Sequence, residues 1–196
     1  MLLRNILNNH IIENKHFLTS LDPIQKTKVL HNLVESMYDA SERAIVGPMA
    51  SVAGAIAEEL GLYLLNYSDE IIIENGGDIW LYTNEPVIVE IFPGNNYFNN
   101  SLMIKIAPEL TPLGISTSSG KIGTSLSFGN ADAVTILAKD ASLADALATA
   151  YGNKIQSRED LSKTIEEIKD DTCILGAVIV YGDTLAACGE IEFVNP

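Results

Sequence analysis

The stretch that decides the fold is the run of small residues Gly47-Pro48-Met49-Ala50-Ser51-Val52-Ala53-Gly54-Ala55-Ile56-Ala57. Proline suits the first turn of a helix, because the N–H that it lacks has no helical partner there. Small side chains then cover every face of the helix, so other backbone segments can pack closely against it. The pattern predicts a buried central helix over residues 47–65. A second interpretation stays open, in which the free N–H groups from Gly47 to Ser51 hold an anion.

The sequence before this helix is predicted to be helical over residues 1–42, because apolar residues recur there at helical spacing. Asp22-Pro23 is predicted to start a helix of its own, with Asp as the cap and Pro in the first turn. The apolar face of that helix consists of Val29, Leu30, Leu33, Val34 and Met37.

After residue 70 the pattern changes to short apolar strands. Residues 71–74 and 79–82 flank the turn Asn75-Gly76-Gly77-Asp78, which predicts a tight β-hairpin. An alternative stays open, in which the two glycines let a ligand approach the backbone beside Asp78. Further strands are predicted at 87–92, 102–106 and 133–138, and a final strand pair at 174–180 and 185–193.

Between the predicted strands lies a run rich in hydroxyl groups, Ile115-Ser116-Thr117-Ser118-Ser119-Gly120-Lys121-Ile122-Gly123. Such a run offers hydrogen-bond donors to phosphate or carboxylate oxygens. It is not a Walker loop, because Ile122 follows Gly120-Lys121 where that motif requires Ser or Thr and the start of a helix. A phosphate-binding loop and an ordinary surface loop both fit this pattern, and the choice stays open.

A further helix is predicted over residues 140–150, with Gly152-Asn153 as its stop signal. Asp145 and Thr149 stand four residues apart on it, so they face the same side. A carboxylate and a hydroxyl are hard oxygen ligands suited to Mg²⁺. On the residues alone, a helix with incidental polar groups is the plainer interpretation. A last amphipathic helix is predicted to begin at Ser157-Arg158-Glu159-Asp160.

The composition predicts a folded protein and excludes several partners. The 196 residues favour one domain, and 47% hydrophobic with 19% charged residues excludes a disordered chain. A net charge of −14 argues against nucleic acid and against an anionic membrane surface. Cys173 and Cys188 are predicted to be ordinary buried thiols. The sequence carries no signal-peptide pattern and no stretch of membrane-spanning length, so a cytoplasmic location is expected.

Three segments in this order resemble the ApbE superfamily, whose founding enzymes are FAD:protein FMN transferases: Ala53-Gly54-Ala55-Ile56-Ala57, Asn75-Gly76-Gly77-Asp78-Ile79 and Ala144-Asp145-Ala146-Leu147-Ala148-Thr149. Two more segments, Gly47-Pro48-Met49-Ala50 and Ser125-Leu126-Ser127-Phe128-Gly129, resemble a smaller prokaryotic branch of ApbE-like proteins. The likeness to that branch covers nearly the whole chain, as a single ApbE-like domain over residues 1–196. It implies an α/β fold with an α+β tendency, in which mixed, largely antiparallel sheets surround the buried Ala/Gly-rich helix and the N-terminus is helical.

The resemblance also implies site residues. In the transferases, an Asp and a Thr four residues later bind the catalytic Mg²⁺, together with a backbone carbonyl near the Gly-Ala-Ile-Ala segment. By this likeness Asp145 and Thr149 are the metal ligands and Ala55 supplies the carbonyl. The turn that lines the flavin-nucleotide site in those enzymes corresponds here to Asn75, Gly76, Gly77 and Asp78.

The chain also departs from the transferases. They carry a His-Ile-Ile-Asp-Pro-like motif, whereas the corresponding residues here are Thr124-Ser125-Leu126-Ser127-Phe128, without His or Asp-Pro. Their Gly-Ala-Ile-Ala segment is followed by Lys-Gly or Glu-Gly, but here by Glu58-Glu59. They are also much longer, and part of their nucleotide-holding region has no counterpart. FMN transfer is therefore not carried over to this sequence.

Two hypotheses about function come from these residues. The first is a pocket for a phosphorylated small molecule such as FAD or FMN, bound with Mg²⁺. If it catalyses a reaction, this is a phosphoryl or nucleotidyl transfer or a hydrolysis, with Asp78 as the candidate catalytic group. The backbone and hydroxyl groups expected to bind this ligand, in addition to the turn at residues 75–77, are Gly47, Met49, Ser51, Ser116, Thr117, Ser118, Ser119 and Gly120.

The alternative is a non-catalytic accessory protein. The smaller branch has been linked to homocysteine formation in anaerobes, so the resemblance implies a sulfur-assimilation enzyme as partner. A homo-oligomer is also expected, because members of the branch have extra strands before the first helix. Without those strands a sheet edge is exposed, and an exposed edge favours pairing with another chain.

Overall fold

The computed structural model describes residues 2–26, 30–98, 102–120 and 128–195. Six helices occur in these ranges: α1 (Leu2–Glu13), α2 (Lys15–Thr19), α3 (Asn32–Ala44), α4 (Val52–Leu64), α5 (Ala141–Lys154) and α6 (Asp160–Lys169). The strands there are β1 (Ile71–Asn75), β2 (Asp78–Tyr82), β3 (Val87–Ile91), β4 (Leu102–Ile106), β5 (Leu113–Ser118), β6 (Ala133–Ala138), β7 (Ile174–Tyr181), β8 (Thr184–Gly189) and β9 (Glu192–Val194). The predicted segments Lys121-Ile122-Gly123 and Thr124-Ser125-Leu126-Ser127 lie outside the described residues.

The strands form two antiparallel sheets. The larger sheet has six strands in the order β1-β2-β5-β6-β7-β8, and the smaller has three in the order β3-β4-β9. Helices α4 and α5 pack on one face of the large sheet, and α3 packs on these two helices. The small sheet covers the other face, where Ile91, Ile104 and Ile106 pack with apolar residues of the large sheet. The result is a layer of helices, a large sheet and a small sheet.

Helices α4 and α5 meet in their first turns with almost no space between their backbones. A Cβ atom on Gly54 would lie 2.1 Å from the carbonyl oxygen of Ala141. On the other side, a Cβ on Gly114 of β5 would lie 2.3 Å from the Ala141 Cα. Real side chains do not tolerate such distances, so both positions require glycine. Ala141 is therefore held between α4 and the sheet.

Two carboxylates join the same helix starts. Asp145 of α5 accepts a hydrogen bond from the N–H of Gly54 at 3.0 Å, and Glu58 of α4 accepts one from the N–H of Ser142 at 3.1 Å. The first N–H groups of a helix have no partner within it, and a carboxylate there also meets the positive end of the helix dipole. Each helix thus supplies the cap of the other.

The fold class predicted from the sequence is confirmed, with α4 as the buried Ala/Gly-rich helix at Gly54, Ala55, Ala57 and Gly61. The hairpin at residues 75–78 and the helix after Asp160 are also as predicted.

Four local predictions were wrong. Asp22-Pro23 does not start a helix: α3 begins only at Asn32, where the His31 ring accepts the N–H of Leu33 and takes the role of the cap. The hydroxyl-rich run is inner strand β5 as far as Ser118, whereas both open interpretations of the sequence expect a loop there. Residues 192–194 form β9 in the small sheet rather than a continuation of β8. Cys173 and Cys188 are free thiols but are only half-buried.

Within the described ranges, no single helix has the length and apolar character needed to cross a membrane. Helix α3 and the segment Pro48–Leu64 pass such a test only as a pair, with a bend of 108° between them.

We predict that Gly54→Ala destabilises the fold. The added Cβ meets the backbone of Ala141, which cannot move aside, and overpacking of this kind costs about 1–3 kcal/mol or more. The matched control is Gly152→Ala near the end of α5, where a Cβ would make ordinary contact with Ser118 Oγ at 3.4 Å. Urea unfolding should give a lower free energy of unfolding for Gly54→Ala than for wild type, and a value within about 1 kcal/mol of wild type for Gly152→Ala. Equal stabilities of the two variants would contradict this account of the helix contact.

Candidate functional site

The β1–β2 hairpin presents Asp78 at the first position of β2. The turn needs its glycines, because Gly76 and Gly77 have φ values of 69° and 101°, which other residues rarely adopt. The side-chain amide of Asn75 donates a hydrogen bond to the carbonyl oxygen of Ala53 at 3.1 Å. This bond ties the hairpin turn to the first turn of α4, so Asp78 is positioned by both elements.

Helix α5 presents Asp145 and Thr149 one turn apart, as their spacing predicts. One carboxylate oxygen of Asp145, Oδ2, accepts the Gly54 N–H. A carboxylate has two oxygens with about four lone-pair positions. Asp145 therefore keeps acceptor capacity for a second partner while it caps α4.

Strand β5 brings a third polar group to the same face of the sheet. Ile79 lies opposite Ile115, and continuing this register places Asp78 opposite Ser116. The Ser116 hydroxyl is completely buried and acts on the Asp78 carboxylate, although no hydrogen bond of standard geometry joins the two groups. A buried hydroxyl needs a polar partner, and Asp78 is the one that this strand register brings to it.

Burial raises the pKa of both aspartates. Burial raises the pKa of Asp78 to about 6, although the nearby Ser116 hydroxyl acts in the opposite direction. Burial also raises the pKa of Asp145 well above its ordinary value, and the charge of Asp78 adds to this effect. The N–H groups of Gly54 and Ala53 partly oppose it. Both residues retain some exposure, but protein surrounds their carboxylates, so two negative charges there are unfavourable without a proton or a cation.

Two cavities meet at these residues. Cavity 1 has a volume of about 750 Å³ and lies at the open end of the space between the two sheets, against Ile79, Leu81 and Ile115 and along β3. Cavity 2, of about 320 Å³, lies between α5, the start of α4 and the segment after α2. Asp78, Asp145 and Thr149 line both cavities. They therefore mark the junction of a two-part cleft.

The described lining of this cleft is acidic. Glu74 and Glu90 join the two aspartates in cavity 1, and none of the described lining residues of either cavity is Lys, Arg or His. Cavity 2 is otherwise mainly apolar and includes Leu18, Met49 and Phe128. An anionic ligand would meet repulsion in this cleft unless a cation accompanied it.

The structure brings most of the predicted site residues to the cleft. Besides the three junction residues, these are Gly76, Gly77, Thr117, Ser118 and Ser119 in cavity 1 and Gly47 and Met49 in cavity 2. Five predicted residues line neither cavity: Ser51, Ala55, Asn75, Ser116 and Gly120.

Each of these five residues has a structural setting of its own. Ser51 donates its hydroxyl to the Pro48 carbonyl, and Ala55 packs with the core residues of α1 and α3. Asn75 and Ser116 stand behind the cleft, where they contact α4 and Asp78 as described above. Gly120 donates its N–H to the Ala131 carbonyl.

Sequence reasoning missed the acidic and apolar residues around the predicted site. Glu74 and Glu90 occupy exposed positions that alternate with less exposed ones along their strands, which is the ordinary pattern of a solvent-facing strand position. Glu58 was noted only as a departure from the transferases, whereas it caps α5. No local signal distinguishes these glutamates, because their roles arise from contacts between distant segments.

The donor set at the junction fits a hard divalent cation. The free oxygen of Asp145, the Thr149 hydroxyl and the Asp78 carboxylate are oxygen donors of the kind that Mg²⁺ prefers. Within the described residues there is no group of three or more His, Cys, Asp or Glu that could hold a metal. A cation here would thus depend on hydroxyl, water or ligand oxygens to complete its coordination.

Sequence comparison finds a family match and close relatives. The model of a family described as "AbpE bacteria" matches residues 1–185. A UPF0280 protein of Methanobrevibacter smithii is 40% identical over 195 residues, covering 96% of this chain and 82% of the relative. A UPF0280 protein of Archaeoglobus fulgidus is 37% identical over 193 residues, covering 96% of this chain and 79% of the relative.

Comparison with solved structures finds the same overall fold at low identity. The ApbE protein of Thermotoga maritima matches with a TM-score of 0.53 and 16% identity, over 85% of this chain and 62% of that one. The flavin transferase ApbE of Vibrio cholerae matches with a TM-score of 0.50 and 17% identity, over 94% of this chain and 73% of that one. This chain spans less than two thirds of the Thermotoga structure, and at such identities the likeness supports the fold alone.

We predict that Asp78→Asn stabilises the metal-free protein at neutral pH. Because the folded pKa of about 6 exceeds the ordinary value of 3.8, the folded state binds the proton more tightly than the unfolded chain. The wild-type free energy of unfolding should therefore fall as pH rises from about 4 to above 6. The asparagine variant lacks this loss and should be more stable by about 2 kcal/mol at pH 7.5, but not at pH 4.

The measurement is urea unfolding of both proteins with EDTA between pH 4 and 7.5. The control is Asp69→Asn, because Asp69 is exposed and lies outside both cavities. The free energy of unfolding of this variant should change with pH in the same way as that of wild type. A constant difference between wild type and Asp78→Asn across this range would contradict the raised pKa.

Proposed function

The chain belongs to the family described as "AbpE bacteria", an ApbE-like group, and on that premise we propose that its cleft binds a phosphorylated small molecule together with Mg²⁺. A flavin nucleotide, FAD or FMN, is the first candidate ligand. The observation that carries this proposal is the position of Asp78, Asp145 and Thr149 where the two cavities meet. A ligand with one part in each cavity would place the atoms that join its two parts beside these oxygen donors.

The charge of the cleft supports a cation as part of the bound species. The described lining residues include four carboxylates and no basic side chain. A phosphate group would be repelled by this lining, whereas a divalent cation is attracted by it and neutralises phosphate oxygens. The same cation would let Asp78 and Asp145 ionise together, which burial otherwise opposes.

The proposed roles follow the positions of the side chains. Asp145 would hold Mg²⁺ through the oxygen that does not accept the Gly54 N–H, and Thr149 would add its hydroxyl. Ser118 and Ser119 also line cavity 1 and would donate hydrogen bonds to the ligand. When bound, Mg²⁺ would supply charge neutralisation at the phosphate oxygens.

If the protein catalyses a reaction, the proposed class is phosphoryl or nucleotidyl transfer or hydrolysis. Asp78 is then the group that accepts a proton, because its carboxylate lies where the two cavities meet, beside the oxygens that would hold the cation. The second candidate function is binding without turnover. It is favoured by the lining of the cleft, whose described residues include neither His nor Cys as an additional acid, base or nucleophile.

We expect FAD, FMN, ADP or AMP to bind only with Mg²⁺, and we expect this binding to weaken at least about tenfold in Thr149→Val. The substitution removes the hydroxyl but keeps the shape of the side chain. Asp145→Ala should abolish Mg²⁺-dependent binding, but it also removes the cap of α4, so its folding must be checked separately. Isothermal titration calorimetry with and without EDTA is the measurement.

Asp69→Asn is again the control, since it removes one carboxylate away from the cleft. Equal affinities with and without Mg²⁺, or unchanged affinity in both cleft variants, would overturn the metal part of this proposal. No binding of any of the four nucleotides would overturn the nucleotide part.

A further inference from the structure

The wall of cavity 1 includes an unusual run of consecutive residues. All five residues of β3, Val87–Ile91, line the cavity, as does Phe92 after them. Neighbouring side chains in a strand point to opposite faces of the sheet. A cavity in contact with every residue therefore lies along the edge of the strand rather than over one of its faces.

That edge has unpaired backbone groups. Within the described ranges, β3 pairs with β4 alone, so its other edge faces the cavity with free N–H and C=O groups. Proteins commonly protect such edges with proline, lysine or a bulge. The sequence Val87-Ile88-Val89-Glu90-Ile91 has neither proline nor lysine, and its pairing with β4 is regular.

The side chains around this edge are apolar with an acidic rim. Ile88 is 63% exposed, Phe92 62% and Ile72, across the cavity on β1, 55%. Val87, Val89 and Ile91 point to the core side and are half-buried or buried. Among the described lining residues of this cavity the charged side chains are all carboxylates, including Glu74 and the exposed Glu90.

We propose that the free edge of β3 binds an extended segment of a partner protein, which adds a strand to the small sheet. Backbone hydrogen bonds would supply affinity, and the side chains beside β3 would supply specificity. Side chains of adjacent strands meet on the same face. The segment should therefore carry a basic residue opposite Glu90, apolar residues opposite Ile88 and Phe92, and apolar residues on its other face.

Charge favours such a partner over a second copy of this chain. A symmetric antiparallel pair of β3 edges centred on Glu90 would place the two glutamates opposite each other, and like charges that face each other across strands are destabilising. The whole chain carries −14, which adds general repulsion between copies. A basic segment is instead attracted both by the acidic side chains at β3 and by the net negative charge of the whole chain. This proposal does not rest on the nucleotide or on Mg²⁺.

The test uses three fluorescent peptides and the full chain in EDTA, without nucleotide. The first peptide is Ser-Ile-Val-Lys-Val-Ile-Ser, which reads the same in both directions and so fits either strand orientation. The second has Glu in place of Lys. The third carries N-methyl groups on its three central residues, which removes the donors that a strand needs. Fluorescence anisotropy should show the lysine peptide binding at least about fivefold tighter than the other two.

Two variants locate the binding site. Glu90→Lys should reverse the preference so that the glutamate peptide binds more tightly, and the exposed position makes folding insensitive to the change. Glu109→Lys is the matched control, because Glu109 is exposed and lies outside both cavities. It should leave the preference as in wild type. Hydrogen exchange should slow at Val87–Ile91 when the lysine peptide binds.

Several results would overturn the proposal. These are equal affinity for the three peptides, absence of binding, an unchanged preference in Glu90→Lys, or slowed exchange elsewhere than β3. Sedimentation would identify a dimer that depends on Glu90, which would assign the edge to a second copy instead. Because nucleotide and Mg²⁺ are absent from all these measurements, failure here leaves the proposed nucleotide site unaffected, and failure of that site leaves this one unaffected.

Discussion

The first turns of α4 and α5 depend on each other. Glu58 on α4 binds the free N–H of Ser142, and Asp145 on α5 binds that of Gly54. The two bonds form only because Gly54 lets the helices approach to backbone contact. This contact sets the position of α5 on the large sheet, and α5 in turn carries both Asp145 and Thr149. The geometry of the candidate site thus depends on the packing of two helices.

Asp145 serves the fold and the site with the same carboxylate. Its bond to Gly54 favours the ionised form, whereas burial and the nearby Asp78 favour the protonated form, and burial is the larger effect. The metal-free protein must therefore keep a proton at the junction or accept two unfavourable charges there. Groups with strongly perturbed pKa values in a cleft are typical of functional sites.

The sequence predicts this fold well where local patterns decide it. Small residues in α4, strand periodicity and the turn at residues 75–78 led to the correct elements, and the four-residue spacing placed Asp145 and Thr149 on one face. Contacts between distant segments were not predictable. Glu58 as a cap, the burial of Ser116 behind Asp78, and β3 as a cavity wall all depend on tertiary packing. The start of α3 was misplaced because His31 caps the helix where Asp22-Pro23 has the stronger local signal.

Ala141 fixes the first turn of α5 between α4 and β5, on one side of the cleft. With backbone contact against Gly54 on one side and Gly114 on the other, α5 can neither roll nor slide without breaking close packing. The opposite wall is β3, a strand held on one side by β4. The tied hairpin and α5 therefore keep the carboxylates of Asp78 and Asp145 at a set separation. The charged centre of the cleft owes its constant geometry to two glycines, Gly54 and Gly114, that touch no ligand themselves.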